Sequence, residues 1–315
     1  MMRDLAVLVV TWNVRELVLT ALRTLLEDLA ASGLGATVHL VDCASSDGTA
    51  QAVAEMFPEV DLVASEKNLG FAAGNNLLLR RIGFRDAAGS VAGSDDLPRA
   101  VYLLNPDTAT HPGATQALFE ALMSDPRRGF AGAQLSYGDG RFQPSAFAFP
   151  GLRQLWVEFF PTPGRMIEGT FNGRYPHALY ERGEPFDVDC VLGAAMMVRR
   201  ESIQAAGLLD ERFFMYCEEI DWAWRITRAG FHGVCTPGAS VVHYVGQSTG
   251  QARPRSIVNL WTSRLLLYSK HYPRWKNRVA RWMIARGMGR LRRRAGSAEI
   301  AAAYDQVRAM AARTE

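Results

Sequence analysis

The chain has 315 residues, of which 48% are hydrophobic, 10% aromatic and 21% charged, enough apolar mass for a large globular core. These figures exclude whole-chain disorder, while 28 glycines without a triplet period and 4 scattered cysteines exclude a collagen-like or disulfide-scaffold protein. The net charge of +3 hides an asymmetry. No acidic residue lies between Asp221 and Glu299, a stretch with 15 Lys and Arg, so an acidic body carries a basic C-terminal quarter suited to an anionic partner.

At the start, Arg3 precedes the apolar run LAVLVV, six residues long. That is shorter than a signal-peptide core and far short of the ~20 residues of a bilayer span, so neither export by this route nor a membrane crossing is expected. Leu5 to Trp12 reads instead as a buried strand. Residues 14–31 read as a helix, with Val14, Leu17, Val18, Ala21, Leu22, Leu25 and Leu29 at helical spacing. The stretch 36–42 is the next strand, closed by the turn formers Ser45, Ser46, Asp47 and Gly48. A helix over Thr49 to Met56, a strand over 61–65 and a helix over Phe71 to Arg81, opened by Gly70, follow. The aperiodic stretch 83–99 reads as a surface loop, and 100–105 as a buried strand ended by Pro106. This rhythm predicts a parallel sheet covered on both faces.

The second half is less regular. Residues 134–186 are rich in Gly, Pro and aromatics and are expected to form mobile loops. A strand–turn–strand over 187–200, helices over Glu201 to Ala206 and 218–230, and a strand over 240–245 complete the body. From about residue 256 the chain is helical and basic. Cys43, Cys190, Cys217 and Cys235 include no Cys-x-x-Cys pair, which fits a reduced, cytoplasmic protein. With no internal repeat or low-complexity linker, the chain reads as one α/β domain over 1–255 with a helical extension over 256–315.

Ligands of open parallel sheets bind at the carboxyl ends of the strands. Polar residues gather there: Thr11 and Asn13 after the first strand, Asp42 after the second, Asn105 and Asp107 after the fourth. Singly, each is equally suited to a turn or a helix cap; together they describe a rim. No Gly-x-Gly-x-x-Gly follows a strand and no P-loop motif occurs, so dinucleotide and P-loop functions lose their main support. Asp95 and Asp96 form a rival acidic pair, but in a loop expected to be solvated.

At this rim VVTWN (9–13), VDCASSDGT (41–49), KNLGFAAGNN (67–76) and LLNPDT (103–108) resemble the nucleotide-sugar half of family 2 glycosyltransferases, which have the GT-A fold. LGAAMMVRR (192–200), LLDERFFMYCEEIDWAWR (208–225) and VVHYVGQST (241–249) resemble the acceptor half. The resemblance runs in order from residue 5 to about 272 and is nearest to the rhamnosyltransferase-like branch acting on cell-surface polysaccharides. It implies a GT-A, Rossmann-like, mostly parallel sheet flanked by helices, with a nucleotide-sugar half over 1–110 and an acceptor half over 111–255.

The resemblance also implies roles. Asp42 would accept a hydrogen bond from a pyrimidine base, Thr11 and Asn13 would wrap the nucleoside, and Asn68, Gly70, Gly74 and Asn75 would pass beneath ribose and diphosphate. The family's metal-binding Asp-x-Asp reads Asn105-Pro106-Asp107 here, leaving Asn105 beside the donor and Asp107 with His243 as ligands of Mg²⁺ or Mn²⁺. The general base of an inverting reaction would be Glu219, where relatives carry Asp, with Glu218 beside it and Asp221 as fallback. No Gln-x-x-Arg-Trp follows His243, against a processive synthase. The implied donor is dTDP-L-rhamnose, with UDP-galactofuranose, UDP-GlcNAc or UDP-glucose as alternatives, and the acceptor a glycan or lipid-linked glycan. A nucleotide-sugar-binding homologue that has lost catalysis is the rival, given Asn105 and Glu219.

In the tail, Trp275, Val279, Trp282, Met283 and Leu291 recur at nearly helical spacing among Arg and Lys, with Gly287 and Gly289 weakening the helix. A basic amphipathic helix of this kind suits an anionic membrane surface approached from the cytoplasm, and shows no nucleic-acid-binding motif.

Overall fold

The computed structural model describes residues 4–86, 96–244 and 253–313. Its first half alternates β1 (Leu5–Thr11), α1 (Arg15–Ser32), β2 (Ala36–Cys43), α2 (Thr49–Met56), β3 (Asp61–Ser65), α3 (Gly70–Arg81) and β4 (Ala100–Leu104). These four strands are parallel and lie in the order β3-β2-β1-β4. Leu5 to Val9 and Ala100 to Leu104 are buried without interruption, because helices cover both faces. Strand order reverses between β1 and β4, and a crevice at their carboxyl ends is where such sheets take ligands. Gly74 packs α3 onto this sheet: a Cβ there would stand 2.9 Å from Val10 Cγ1. Of the loop expected over 83–99, residues 87–95 lie outside the described residues; Asp95 is among them, and Asp96 is exposed.

The second half departs from an all-parallel sheet. It holds β5 (Thr108–Thr110), α4 (Ala114–Met123), β6 (Arg128–Ser136), β7 (Phe142–Gln143) and β8 (Ala146–Phe147). Three short helices follow, α5 (Leu152–Phe159), α6 (Gly164–Ile167) and α7 (His177–Glu181). Then come β9 (Phe186–Val188), β10 (Cys190–Val191), β11 (Ala195–Arg199), α8 (Arg200–Ala206), α9 (Glu218–Arg228) and β12 (His232–His243). Strand β11 inserts antiparallel between β4 and β6, β12 runs parallel to β6, and β5 closes the edge antiparallel to β12. The sheet is mixed but mostly parallel.

The stretch 134–186 is thus a series of short elements rather than mobile loops, pinned by buried Leu155, Phe159 and Tyr180 instead of by periodicity. Strand β12 starts eight residues before the expected strand at 240, its register shifting between Thr236 and Ser240 around Pro237. A bulge admits proline there, and it hides the strand in the sequence.

The basic tail forms α10 (Arg253–His271), α11 (Arg274–Arg292) and α12 (Ala298–Ala312), so the boundary expected after residue 255 falls inside a helix. Ala280, Met283, Ile284 and Met288 of α11 join Trp261, Leu265, Val307 and the α5 residues Leu155 and Phe159 in one apolar cluster. Met283 is therefore core, apart from the exposed Trp275, Val279 and Trp282. Gly287 has a packing role beyond its low helix propensity: a Cβ there would lie 2.2 Å from the Phe159 ring, so only glycine lets α11 approach α5 this closely. Among the described residues no helix is long and apolar enough to cross a membrane. All four cysteines are buried free thiols.

Candidate active site

A cleft of about 340 Å³ opens at the carboxyl ends of β1 and β4, walled opposite by the lead into α9. Of the residues expected at the site, Thr11, Asn68, Gly70, Asn105, Asp107, Glu218, Glu219 and His243 line it. Thr11 pairs in register with Asp42 across β1 and β2, which brings both to the same end of the sheet. Asp42 is 2% exposed; its Oδ2 accepts the Ser45 N–H at 3.0 Å, while Oδ1 and the Thr11 hydroxyl have no partner among the described residues. The N-cap of α2 is Gly48, and the Thr49 N–H donates to Asp47 Oδ1 at 3.1 Å, so Asp42 is not the helix cap.

Asp42 stands beside Thr11 but off the cleft lining, and three further expected residues serve the walls. Asn13 sits at φ 52° and accepts the Ser46 N–H on Oδ1 at 2.7 Å, clamping the loop after β2. Gly74 faces the sheet, and Asn75 donates from Nδ2 to the Phe71 carbonyl at 3.0 Å. Gly70 does line the cleft at φ +75°, where a Cβ would meet the Phe214 carbonyl at 2.3 Å. Phe71 N–H donates to that same carbonyl at 3.0 Å, joining the start of α3 to the segment before α9.

The pairing of β12 with β5 sets His243 opposite Thr108, and so its ring beside the turn at 105–107. His243 Nε2 lies 3.4 Å from Asp107 Oδ1 and 3.4 Å from Asn105 Nδ2. Gln143 holds the other ring nitrogen, its Nε2 lying 3.3 Å from Nδ1, and its Oε1 has no partner among the described residues. With the Gln143 amide turned end for end, Oε1 accepts Nδ1–H and the Nε2 lone pair faces Asp107, the state a metal ligand requires. A carboxylate, an imidazole and an amide fit a small hard cation, Mg²⁺ or Mn²⁺. The described lining of the cleft holds the acids Asp107, Glu218 and Glu219 and no Lys or Arg. No cluster of three or more His, Cys, Asp or Glu occurs among the described residues; Asp107 and His243 stand as a pair.

Tyr216 and Cys217 lead into α9 at φ 71° and 65°, a left-handed conformation that costs roughly 1–3 kcal/mol each for non-glycine residues. This bend delivers Glu218 and Glu219 to the first turn of α9, both buried and each with one carboxylate oxygen unpartnered among the described residues. Burial raises the Glu219 carboxyl to about 7. Burial, then the neighbouring Glu219 charge, pushes Glu218 well above the usual carboxylate range. Both side chains line the cleft. Glu219 alone of the two also lines two further cavities, and a Cβ on Gly193 would touch its stem at 3.3 Å.

Asp221 is absent from the cleft lining. Its Oδ1 receives Lys270 Nζ and His271 Nε2, each at 2.7 Å, and its Oδ2 receives Arg225 Nε at 2.9 Å. Burial opposes its charge, but the His271 hydrogen bond and the Arg225 and Lys270 cations outweigh that and hold the carboxyl low. Trp224 stacks on His271 at 4.4 Å and on Phe149 at 4.2 Å, so this knot fastens α10 to the helix that carries Glu219. Asp221 is a tie between elements, not a base.

Residues 6–207 match the family model for glycosyl transferase family 2. The chain belongs to this family. The N-acetylglucosaminyl-diphospho-decaprenol L-rhamnosyltransferase of Mycobacterium tuberculosis is 32% identical over 253 residues, 79% of either chain. Two solved structures share the GT-A fold. One is GalNAc-T7 with UDP, GalNAc and Mn²⁺ (TM-score 0.59, 11% identity, 97% of this chain but 54% of that one). The other is the mannosyltransferase PcManGT from Pyrobaculum calidifontis with GDP-Man and Mn²⁺ (TM-score 0.52, 18% identity, 99% and 81% covered).

This family 2 glycosyltransferase has one site residue outside its motifs, Gln143, and others inside them to which the sequence assigned no role. Gln143 orients His243 from 100 positions away, a distance no local pattern reports. Asn76 donates to the Leu209 carbonyl at 2.8 Å and accepts its N–H at 3.0 Å, anchoring the segment that leads toward α9. A second Asn on a buried helix face was the available signal. Trp12, Tyr216 and Gly193 complete the cleft wall. Residues 245–249 of the last motif lie outside the described residues.

Proposed function

We propose that this glycosyltransferase moves L-rhamnose from dTDP-L-rhamnose, with inversion and with a divalent cation, onto an N-acetylglucosaminyl diphospho-lipid. The observation that carries the reading is Glu219, a buried carboxyl raised to about 7 that lines both the cleft holding Asp107 and His243 and a second cavity of about 350 Å³. A base between donor and acceptor spaces is what direct displacement needs. The rhamnose donor and the diphosphate-linked acceptor are those in the name of the 32% identical relative.

In this mechanism Thr11 and Asp42 receive the pyrimidine nucleoside, and Asn68 and Gly70 line the path of its diphosphate. Asp107 and His243 would hold Mg²⁺ or Mn²⁺, which when bound neutralises the departing nucleoside diphosphate. Glu219 takes the proton of the acceptor hydroxyl as its oxygen forms the bond to the anomeric carbon. The carbon–oxygen bond to the diphosphate breaks on the opposite face, which inverts the configuration. Asn105 removes one carboxylate from the family motif yet leaves the Asp107–His243 pair, which favours a working enzyme over a binding homologue.

The donor assignment is tested by calorimetry with dTDP, UDP and GDP in Mg²⁺ and Mn²⁺. The pyrimidine nucleotides should bind and GDP should not. Asp42→Ala should weaken pyrimidine binding by about 1–3 kcal/mol, the range for a buried polar group losing its partner. Equal affinity for GDP, or an Asp42→Ala protein with unchanged affinity, contradicts it.

The reading places the enzyme in the cytoplasm, at the inner face of the membrane. Trp275, Val279 and Trp282 of α11 are 63%, 38% and 61% exposed, and their spacing sets them on one helix face with Arg286 a turn further on. Exposed Arg274 and Arg278 flank them, and each such charge contributes about 1 kcal/mol near an anionic surface. Full-length protein should co-sediment with anionic vesicles and not neutral ones, less so at high salt. The Trp275→Ala/Trp282→Ala variant should lose most of this binding. Equal sedimentation of variant and wild type, or binding indifferent to salt, contradicts the surface.

A further inference from the structure

The second cavity shares Glu219 and Leu192 with the cleft and is walled by α5, the strand pair β8–β10 and Arg264 of α10. Two cations reach it. Arg174 is bridged to Glu168, which is 71% exposed at the surface and is not part of the cavity wall. Arg264 is bridged to Glu158, which does line the wall, and its guanidinium lies 4.6 Å over the Trp261 ring. The amides of Gln154 and Asn172 add neutral polar groups. Among the described residues the only acids on the wall are Glu158, already paired with Arg264, and Glu219, which burial shifts toward the neutral form. This contrasts with the cleft, whose described lining has three carboxylates and no Lys or Arg. The two cavities that meet at Glu219 therefore differ in one respect: the second carries arginines on its wall and the cleft, among its described residues, does not.

We propose that this second cavity is the subsite for the diphosphate of the acceptor, with Arg174 and Arg264 as its cations. The proposal rests on the function proposed above, and adds where the acceptor's phosphates lie and which side chains select for them. An acceptor sugar with a hydroxyl at Glu219 carries its diphosphate on its anomeric carbon, a few bonds away, and the arginines stand on the wall of the space beyond that carboxylate. Guanidinium groups suit phosphate because they offer paired N–H donors in one plane. Arg174 can leave Glu168 for a ligand at modest cost, since Glu168 is exposed and solvent screens the pair.

The test uses the full-length protein in Mg²⁺ with dTDP and UDP in excess, so that the donor cleft is filled. Three probes are titrated by calorimetry: N-acetylglucosaminyl diphosphate bearing a short alkyl chain, the corresponding alkyl N-acetylglucosaminide without phosphates, and inorganic pyrophosphate. The diphosphate compound should bind at least tenfold more tightly than either of the others. Arg174→Gln should remove that advantage and leave the phosphate-free compound unchanged. Glu168→Gln, which frees Arg174, should preserve or increase it, an effect that a merely structural bridge does not produce. Equal binding of the two sugar compounds, an undiminished preference in Arg174→Gln, or pyrophosphate binding as tightly as the sugar diphosphate overturns the proposal. Sugar transfer to the same compound is read in parallel: its absence refutes the function proposed above while the binding result still decides the subsite.

Discussion

Glu219→Gln is expected to lower kcat by about 10²–10⁴-fold with nucleotide affinity unchanged, because the amide keeps the shape of the side chain and removes its basicity. The wild-type enzyme should lose kcat as pH falls through about 7, the value to which burial raises this carboxyl, since only the deprotonated form accepts a proton. The same raised value acts on stability. Between the ordinary carboxylate range and about 7 the folded protein binds more protons than the unfolded chain, so stability falls as pH rises through that window. Glu219→Gln removes this dependence and should melt at a higher temperature than wild type at pH 8, with no such gain at pH 4. A loss of kcat in Glu218→Gln with none in Glu219→Gln would move the base by one residue. The cavity linings argue against that, since Glu218 reaches the donor cleft alone.

Asp107→Ala should reduce transfer at least about 100-fold, as should excess EDTA, because polarising the leaving diphosphate is worth several kcal/mol. The cleft has no arginine or lysine on its described lining to take over that charge. The variant should remain folded, since among the described residues Asp107 Oδ1 meets only His243, at 3.4 Å, and the backbone of the turn is held by Tyr244 N–H donating to the Asp107 carbonyl at 2.8 Å. Full activity in EDTA would show that the Asp107–His243 pair has another purpose.

The parallel half of the fold was legible because its strands are buried runs and α1 shows an unbroken helical period. The antiparallel insertion of β11 and the edge strand β5 were not, since three to five residues carry no period and their partners lie far along the chain. Within the site, the motifs located the cleft-lining residues Thr11, Asp107, Glu219 and His243. They gave no means of separating ligand-facing side chains from those that build the walls. Asn13, Gly74 and Asn75 belong to the walls, as a loop clamp, a helix–sheet contact and a bond within α3. Asp221 looked like a third acid on the Glu219 helix until the tail brought Lys270 and His271 to it. Gly287 illustrates the same limit, for its partner Phe159 is more than a hundred positions away.

The two cavities joined at Glu219 lead to one claim, that a nucleotide-bound sugar on one side is passed to a lipid diphosphate sugar on the other. The measurement closest to it is transfer from dTDP-L-rhamnose to a short-chain N-acetylglucosaminyl diphospho-lipid, with the product identified by mass and by the NMR configuration of the new linkage. The expected product is a rhamnosyl disaccharide diphospho-lipid of inverted anomeric configuration, formed only with Mg²⁺ or Mn²⁺ and at least about 100-fold more slowly with Glu219→Gln. A product of retained configuration, or undiminished product from Glu219→Gln, would contradict it.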